Sequence, residues 1–587
     1  MFSQYTKFRF QRRVRKFERE VLSIVKHPVK YWNEHIVTQW HSFMKVRRFA
    51  FSWLFLVLLL TGTIVTQTYA LDRLYREETG ADGGVYTEAL EGEFTNFSPL
   101  FAVSTSDTTV SKLVFSGLFE RDKNGQLQPD MAESISRSDR GNEYTVVLRP
   151  NLKWHDGTTL TSADVVYTVN AIKNPETDSP YRTVWEGITV KAVDETTVQF
   201  ILPNAFAPFQ EQLTVGIVPA HLLQDQTFGG LRTSEFNVSP VGSGPFKFSE
   251  FSAKAQRVEL VKNMEYYLGV PRLDSLILRA FEDQQAMIRS YRIGESHGVY
   301  GVEMSILTPE EQQQARLLTQ YSGVYAFFNV AQEPLDNSAV RNALQLALNS
   351  KKILEATRFE NQLLNSAILP ELIGYNKKLT QNTDDLKKAE ATIQADGWAK
   401  NADGIYQKEG APLKVTVHTS EDEKQVAVTR TLAETWNEFG VQTEVINLSN
   451  VDLQRNVRGP RNFEVLVSPI LIGNDPDVFA YWHSSQVGSE GLNFSNYEDA
   501  TADESLEAGR TRTDVAIRRA KYETFLRKWL KDAPALGLYR PNQVYLQKSF
   551  VRGSDIKKVV FSQNRLNDIS QWTINEQKSL RLESKPE

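Results

Sequence analysis

The sequence predicts a mixed α/β body carried behind a single membrane-spanning helix. Three observations predict it. Phe49 to Leu71 runs 23 residues without a charge, and about 20 apolar residues span a bilayer. Leu413 to Asn447 reads as strand, helix, strand, a spacing that implies a parallel pair. The length, 587 residues, exceeds one ordinary domain and leaves room for several packed units.

Charge is divided between the two ends of this arrangement. Residues 1–48 hold 12 Lys and Arg against 3 Asp and Glu, a net of +9, while the remainder carries −14. An acidic body repels phosphate backbones, so no nucleic-acid partner is expected. Lys45, Arg47 and Arg48 abut the span, which places a basic tail (1–48) in the cytoplasm and the body outside. Within the tail Phe10, Val14, Phe17, Val21 and Val25 recur at helical spacing opposite Arg12, Arg13, Arg15, Lys16 and Arg19. That pattern suits a helix on an anionic leaflet, or a solvated topogenic tail. A cleavable signal normally has a short basic start. Forty-eight residues precede this one, so an uncleaved anchor (49–71) is predicted, although Ala70, two after Thr68, is a small-residue pattern at which cleavage would occur.

A polar linker (72–83) leads to the body. Gly84 to Leu90 alternates as a strand, Asp122-Lys-Asn-Gly125 makes a turn, and Tyr144 to Arg149 is a further strand. Thr161-Ser-Ala-Asp164 opens a helix as a capping box, with Val165, Val169 and Ile172 on one face. Ile188–Val193 and Thr197–Leu202 pair about Asp194-Glu195. Pro240 to Phe248 turns into a strand. Val428, Leu432, Trp436 and Phe439 share a helix face that Gly440 ends. Asp514 to Lys531 is helical.

The composition excludes several chemistries. There is no Cys, hence no disulfide, thiolate metal site or acylated lipoprotein residue. Gly-x-Ser-x-Gly, P-loop and His-Glu-x-x-His motifs are absent, and the five histidines after the span (155, 221, 297, 418 and 483) lack ligand spacing. No enzymatic activity, metal or cofactor is expected. Trp154-His-Asp-Gly157 reads as a core plug and a turn, Gly242-Ser-Gly-Pro245 as a turn rather than an anion cradle, and Arg341 as a partner in a structural ion pair. The stretch 473–497 differs. Trp482, His483, Ser484 and Ser485, followed by Asn493 and Phe494, mix a flat apolar wall with donors and acceptors, as small-molecule sites do. Asp475 and Asp477 would shape the loop or meet a cationic group.

Several segments resemble one family. Glu91-Gly-Glu-Phe-Thr-Asn-Phe-Ser-Pro-Leu100, Gly117-Leu-Phe-Glu-Arg-Asp122, Pro129-Asp-Met-Ala-Glu-Ser134 and Tyr144-Thr-Val-Val-Leu-Arg149 come first. Lys153-Trp-His-Asp-Gly-Thr-Thr-Leu-Thr-Ser-Ala-Asp-Val-Val-Tyr167 is the most specific. Pro240-Val-Gly-Ser-Gly-Pro-Phe246, Val340-Arg-Asn-Ala-Leu344, Asp475-Pro-Asp477 and Leu538-Tyr-Arg-Pro541 follow in order. Together, from about Gly84 to Trp572, they resemble the family 5 extracytoplasmic solute-binding proteins of ABC importers, the oligopeptide, dipeptide and nickel group. The resemblance implies a two-lobed periplasmic-binding-protein-like α/β fold with ligand between the lobes. Lobe I would cover 84–325 with an extra subdomain at about 112–235. Lobe II would cover 326–540, and 541–587 would return to lobe I. It implies a monomeric receptor that captures oligopeptides and delivers them to a permease; the family usually begins with a signal peptide, so a tether by the span at 49–71 departs from it. An oligosaccharide or metal chelate is the alternative ligand, and a surface hydrolase or sensor the alternative class. One departure concerns the ligand. Peptide binders of the family carry an Asp three residues before the Asp-Pro-Asp-like turn, and this chain has Ile472 there.

Overall fold

A computed structural model describes residues 38–358, 362–556 and 558–580. The amphipathic pattern at Phe10–Val25 lies outside the described residues. The chain divides into two units: Met1–Thr79 with Gln577–Glu587, and Gly80–Glu576.

Among its described residues the first unit holds one long helix, Thr38–Tyr75. Its segment Phe51–Tyr69 is long and apolar enough to cross a membrane, and none of it is buried. Thr61, Thr63, Thr66 and Thr68 donate their hydroxyls to carbonyls four residues earlier, at 2.6–2.9 Å. The helix thereby satisfies its own polar side chains, as a lipid environment demands. The linker expected at 72–83 differs in part from what forms. The helix runs to Tyr75, and Arg76–Ala81 is a strand paired with Asn575–Leu580. Its partner lies at the other end of the chain, which a local reading of a polar segment cannot see.

The second unit is built on two large sheets. The eight-stranded sheet centres on Val85–Glu91, which pairs in parallel with Ser275–Phe281 and Gly298–Tyr300. Five consecutive residues of this strand are buried, as a strand covered on both faces requires. The six-stranded sheet runs Gln362–Leu363, Ala535–Arg540, Ser322–Phe328, Val465–Leu471, Lys414–Ser420, Gln442–Leu448. Its last two strands are parallel and joined by the helix Glu423–Phe439, which buries Val428, Leu432, Trp436 and Phe439. Gly440 ends that helix at φ +113°, a conformation only glycine adopts freely. A four-stranded antiparallel sheet, Ala132–Arg137, Glu143–Leu148, Thr197–Ile201 and Thr189–Ala192, packs the helix Ser162–Lys173. Asp164 Oδ2 accepts the Thr161 N–H at 2.8 Å there, closing the capping box.

The two large sheets exchange the chain at two neighbouring points. Arg316–Gln320 belongs to the eight-stranded sheet and Ser322–Phe328 to the six-stranded one, with Tyr321 between them. Ala535–Arg540 and Asn542–Gln547 are divided the same way by Pro541. Gln320 N–H donates to Pro541 O at 3.2 Å, so the crossings lie side by side.

The first sheet contains a wholly buried ion pair. Arg565 Nε donates to Glu88 Oε1 at 2.7 Å, and neither side chain reaches solvent. Glu88 Oε2 accepts from Tyr86 and Tyr545 hydroxyls, each at 2.8 Å. The pair ties the central strand to the segment after the second crossing. Burial is the first cause, and Glu88's charge the second, of the strong upward shift of both tyrosine pKa values.

Candidate ligand-binding cleft

The strand Val465–Leu471 leaves the six-stranded sheet beside the crossings. Ile472 and Gly473 both donate N–H to Tyr321 O at 3.0 Å. Gly473 takes φ +79°, which turns the chain sharply into Asn474. Asp475 Oδ1 accepts the Asp477 N–H at 3.0 Å, the local turn that Asp forms with its own backbone. Arg518 Nη2 donates to both Asp475 oxygens, at 2.7 and 2.8 Å. Arg510 Nη2 donates to Asp477 Oδ2 at 2.8 Å and lies 4.0 Å over the Phe479 ring. The cationic groups that meet these two carboxylates are therefore the protein's own.

This loop forms one wall of a cavity of about 710 Å³, within the range of sites that enclose one small ligand. Leu471, Asn474, Asp475 and Asp477 line it from the six-stranded sheet's side. Lys112, Glu120, Arg121 and Glu211 line it from the opposite side, with aromatic surface from Tyr181, Trp185 and Phe206. Two hydrogen bonds cross between the walls. Asn474 Nδ2 donates to Gly125 O at 2.7 Å, and Ala207 N–H donates to Arg510 O at 2.7 Å. Burial first, and then the charge of Asp475, raises the Glu211 carboxyl, against the pull of Arg121. Burial likewise raises Asp477, with Asp475 adding to it. Behind the cavity, burial and then Glu120 push Asp130 up to about 7.

Of the residues singled out from sequence, Asp475 and Asp477 line the cavity, and the other six do not. Trp482 is wholly buried. Its ring packs against Tyr325, Phe327 and Trp529 with centroids 5.6–5.9 Å apart. The one-turn helix Phe479–Trp482 directs the indole into the core, so it is a plug rather than a wall. His483 stacks on Phe479 at 3.9 Å; its Nδ1 accepts the Ser485 N–H at 3.0 Å. The Ser484 N–H donates to Asp503 Oδ1 at 3.0 Å. Asn493, also fully buried, donates to His483 O and Tyr497 O at 3.1 and 2.8 Å. Phe494 meets Phe327 edge-on at 5.4 Å. The polar groups of His483, Ser484 and Asn493 are thus bonded to neighbouring protein groups rather than turned to the cavity.

The remaining motifs also resolve into structure. Trp154 is buried and Gly157 turns at φ +90°. The His155 N–H donates to Gly242 O at 2.8 Å, and burial lowers the imidazole pKa to about 4. A Cβ on Gly242 would lie 1.9 Å from Val114 O, so close backbone approach explains that glycine. Among the described residues Arg341 makes no ion pair. Its guanidinium donates to the carbonyls of Leu335, Asp336, Asp532 and Ala533, at 2.6–3.2 Å. Lys112, Glu120, Arg121 and Glu211 were not anticipated as a group. They share no local spacing, and only Glu120 and Arg121 fall in a segment singled out beforehand.

Comparison with known proteins places this geometry. Residues 126–492 match the model for bacterial extracellular solute-binding proteins, family 5 middle region. The chain is similar to the oligopeptide-binding protein AppA of Bacillus subtilis, with 28% identity over 78% of this chain and 87% of that protein. The AppA crystal structure, in complex with a nonapeptide, superposes with TM-score 0.66 at 25% identity, over 85% of this chain and all of that one. NikZ from Campylobacter jejuni, in complex with Ni(L-His), superposes with TM-score 0.69 at 24% identity, over 83% of this chain and 99% of that one.

Proposed function

The chain belongs to the family 5 bacterial extracellular solute-binding proteins, and from that membership we propose that it captures oligopeptides in the cleft and passes them to an ABC permease. The observation that carries the proposal is the cavity itself. Its walls come from the two sides of a pair of adjacent chain crossings, an arrangement suited to closing around a ligand. The peptide assignment is supported by the similarity to an oligopeptide-binding protein over most of both chains. The helix at Phe51–Tyr69 would tether the receptor, with residues 1–48 on the cytoplasmic side. The lobes would comprise 84–325 with 541–587, and 326–540.

A screen of peptide pools by native mass spectrometry tests the solute. Peptides of defined length should be retained and returned uncleaved. Retention of non-peptide solutes alone would sink the peptide assignment, and turnover would favour a hydrolase. A non-peptide solute is the second reading. It is favoured by Ile472, a buried apolar side chain where an acidic one was expected, and by the Ni(L-His) complex of a structural relative. Protease digestion of intact cells tests the tether: the body should be cut and the tail protected.

A further inference from the structure

The chain enters its body at one end of the eight-stranded sheet, and the segment 261–275 is fastened to that entry. Gly83 donates its N–H to Arg272 O at 2.7 Å, and Asp274 donates its N–H to Gly84 O at 2.9 Å. Arg272 Nε donates to Asp82 Oδ1 at 2.6 Å and its Nη2 to Gly80 O at 2.5 Å. Four large apolar side chains of this segment, Val261, Met264, Leu268 and Val270, are 37–63% exposed. Val261 pairs in register with Ser275, and Ser275 with Val85. The exposed Val85 therefore shares their sheet face. Among the described residues after Gly80, no other ten-residue stretch exposes more than two large apolar side chains. Single exposed apolar residues are ordinary, whereas a cluster marks an interface. The four charged side chains of the segment are all paired. Lys262 meets Asp274 at 2.8 Å, Arg272 meets Asp82 at 2.6 Å, and Glu265 meets Lys153 at 3.2 Å.

Residues 70–79 alone separate this entry from the apolar span Phe51–Tyr69. Fully extended, a link of that length reaches at most about 40 Å. We propose that the face formed by Val85, Val261, Met264, Leu268 and Val270 docks on the lipid surface beside the tether, with its apolar side chains seated among the headgroups. The proposal rests on the tether reading above. The bilayer is an apolar phase that the chain itself keeps within reach of this face, and the link raises its effective concentration there. Exposed apolar side chains among mutually neutralised charges suit insertion into neutral lipid, without need of anionic headgroups. Docking holds the body down on the membrane instead of letting it range over the full length of the link.

The chain has no Cys, so single cysteines report cleanly. Full-length Met264→Cys, Val451→Cys and Thr66→Cys, each carrying an environment-sensitive fluorophore, are reconstituted into phosphatidylcholine nanodiscs with and without nitroxide-bearing lipid. Val451 is exposed and follows the last strand of the six-stranded sheet, and Thr66 lies in the span. The nitroxide should quench the label at position 264 at least about threefold more than the label at 451, and equally in discs with and without phosphatidylglycerol. Adding Leu268→Asp and Val270→Asp should bring the quenching at 264 down to that at 451. The comparison of 264 with 451 in the parent chain holds even if the double variant folds poorly. Quenching at 66 without quenching at 264 overturns docking and leaves the tether standing. Quenching at 264 without quenching at 66 supports docking and overturns the tether. Quenching at neither overturns both. Quenching at 264 in anionic discs alone overturns the apolar assignment. A label at 264 that is free in lipid discs but shielded in cell membranes overturns lipid docking and gives the face to a membrane protein.

Discussion

Arg565 and Glu88 show what single residues contribute. Replacing Arg565 with leucine leaves the Glu88 carboxylate buried and unanswered, at a cost of about 3–5 kcal/mol. Chemical denaturation of Arg565→Leu measures this, and adding Glu88→Gln should recover part of the loss. Asp130 governs a pH dependence. Its carboxyl rises from an ordinary value near 3.8 to about 7 in the folded protein. Between those pH values the folded state keeps a proton that the unfolded chain has released, so this group's contribution to stability falls as pH rises through the window. Asp130→Asn should flatten the drop in Tm between pH 4 and 7; an unchanged slope would assign the dependence elsewhere. None of these three residues was legible as a site in the sequence. Glu88 and Arg565 lie 477 positions apart, and Asp130 becomes unusual only through burial beside Glu120. Trp482 teaches the converse. Its polar neighbours made it look like a cleft wall, yet one helical turn is enough to point it into the core.

Whole elements were legible wherever the signal was local. The strand and helix from Lys414 to Phe439, the stop at Gly440 and the hairpin about Asp194-Glu195 follow from periodicity and turn chemistry, and they form within a residue or a few of where these place them. Gly440→Ala tests the helix stop. A side chain there must adopt φ +113° and set its Cβ 2.6 Å from Gly404 O. A loss of at least about 1–2 kcal/mol is expected in thermal or urea unfolding, and a neutral result would mean that the turn relaxes at no cost. The strand Arg76–Ala81 was not legible, because its pairing partner is remote. The cleft's charged lining was not legible either. Its members are drawn from residues 112–121, 211 and 475–477, and only the topology gathers them.

At the scale of the molecule, the bond from Asn474 to Gly125 O is one of the two that join the walls of the cleft. Removing one such bond is worth about 1 kcal/mol. Asn474→Ala should therefore enlarge the ligand-free radius of gyration in small-angle scattering and weaken solute affinity about fivefold. Unchanged scattering and affinity would show that the bond holds nothing. The paired crossings at Tyr321 and Pro541 have a different consequence. Because they sit one hydrogen bond apart, everything between them is a cassette with adjoining ends, inserted into a host whose eight-stranded sheet draws no strand from it. Severing a cassette of this kind exposes no long unpaired edge, and rejoining the host needs only a short connection. The host and the insert thus supply opposite walls of the pocket, while the chain joins them at two adjoining points.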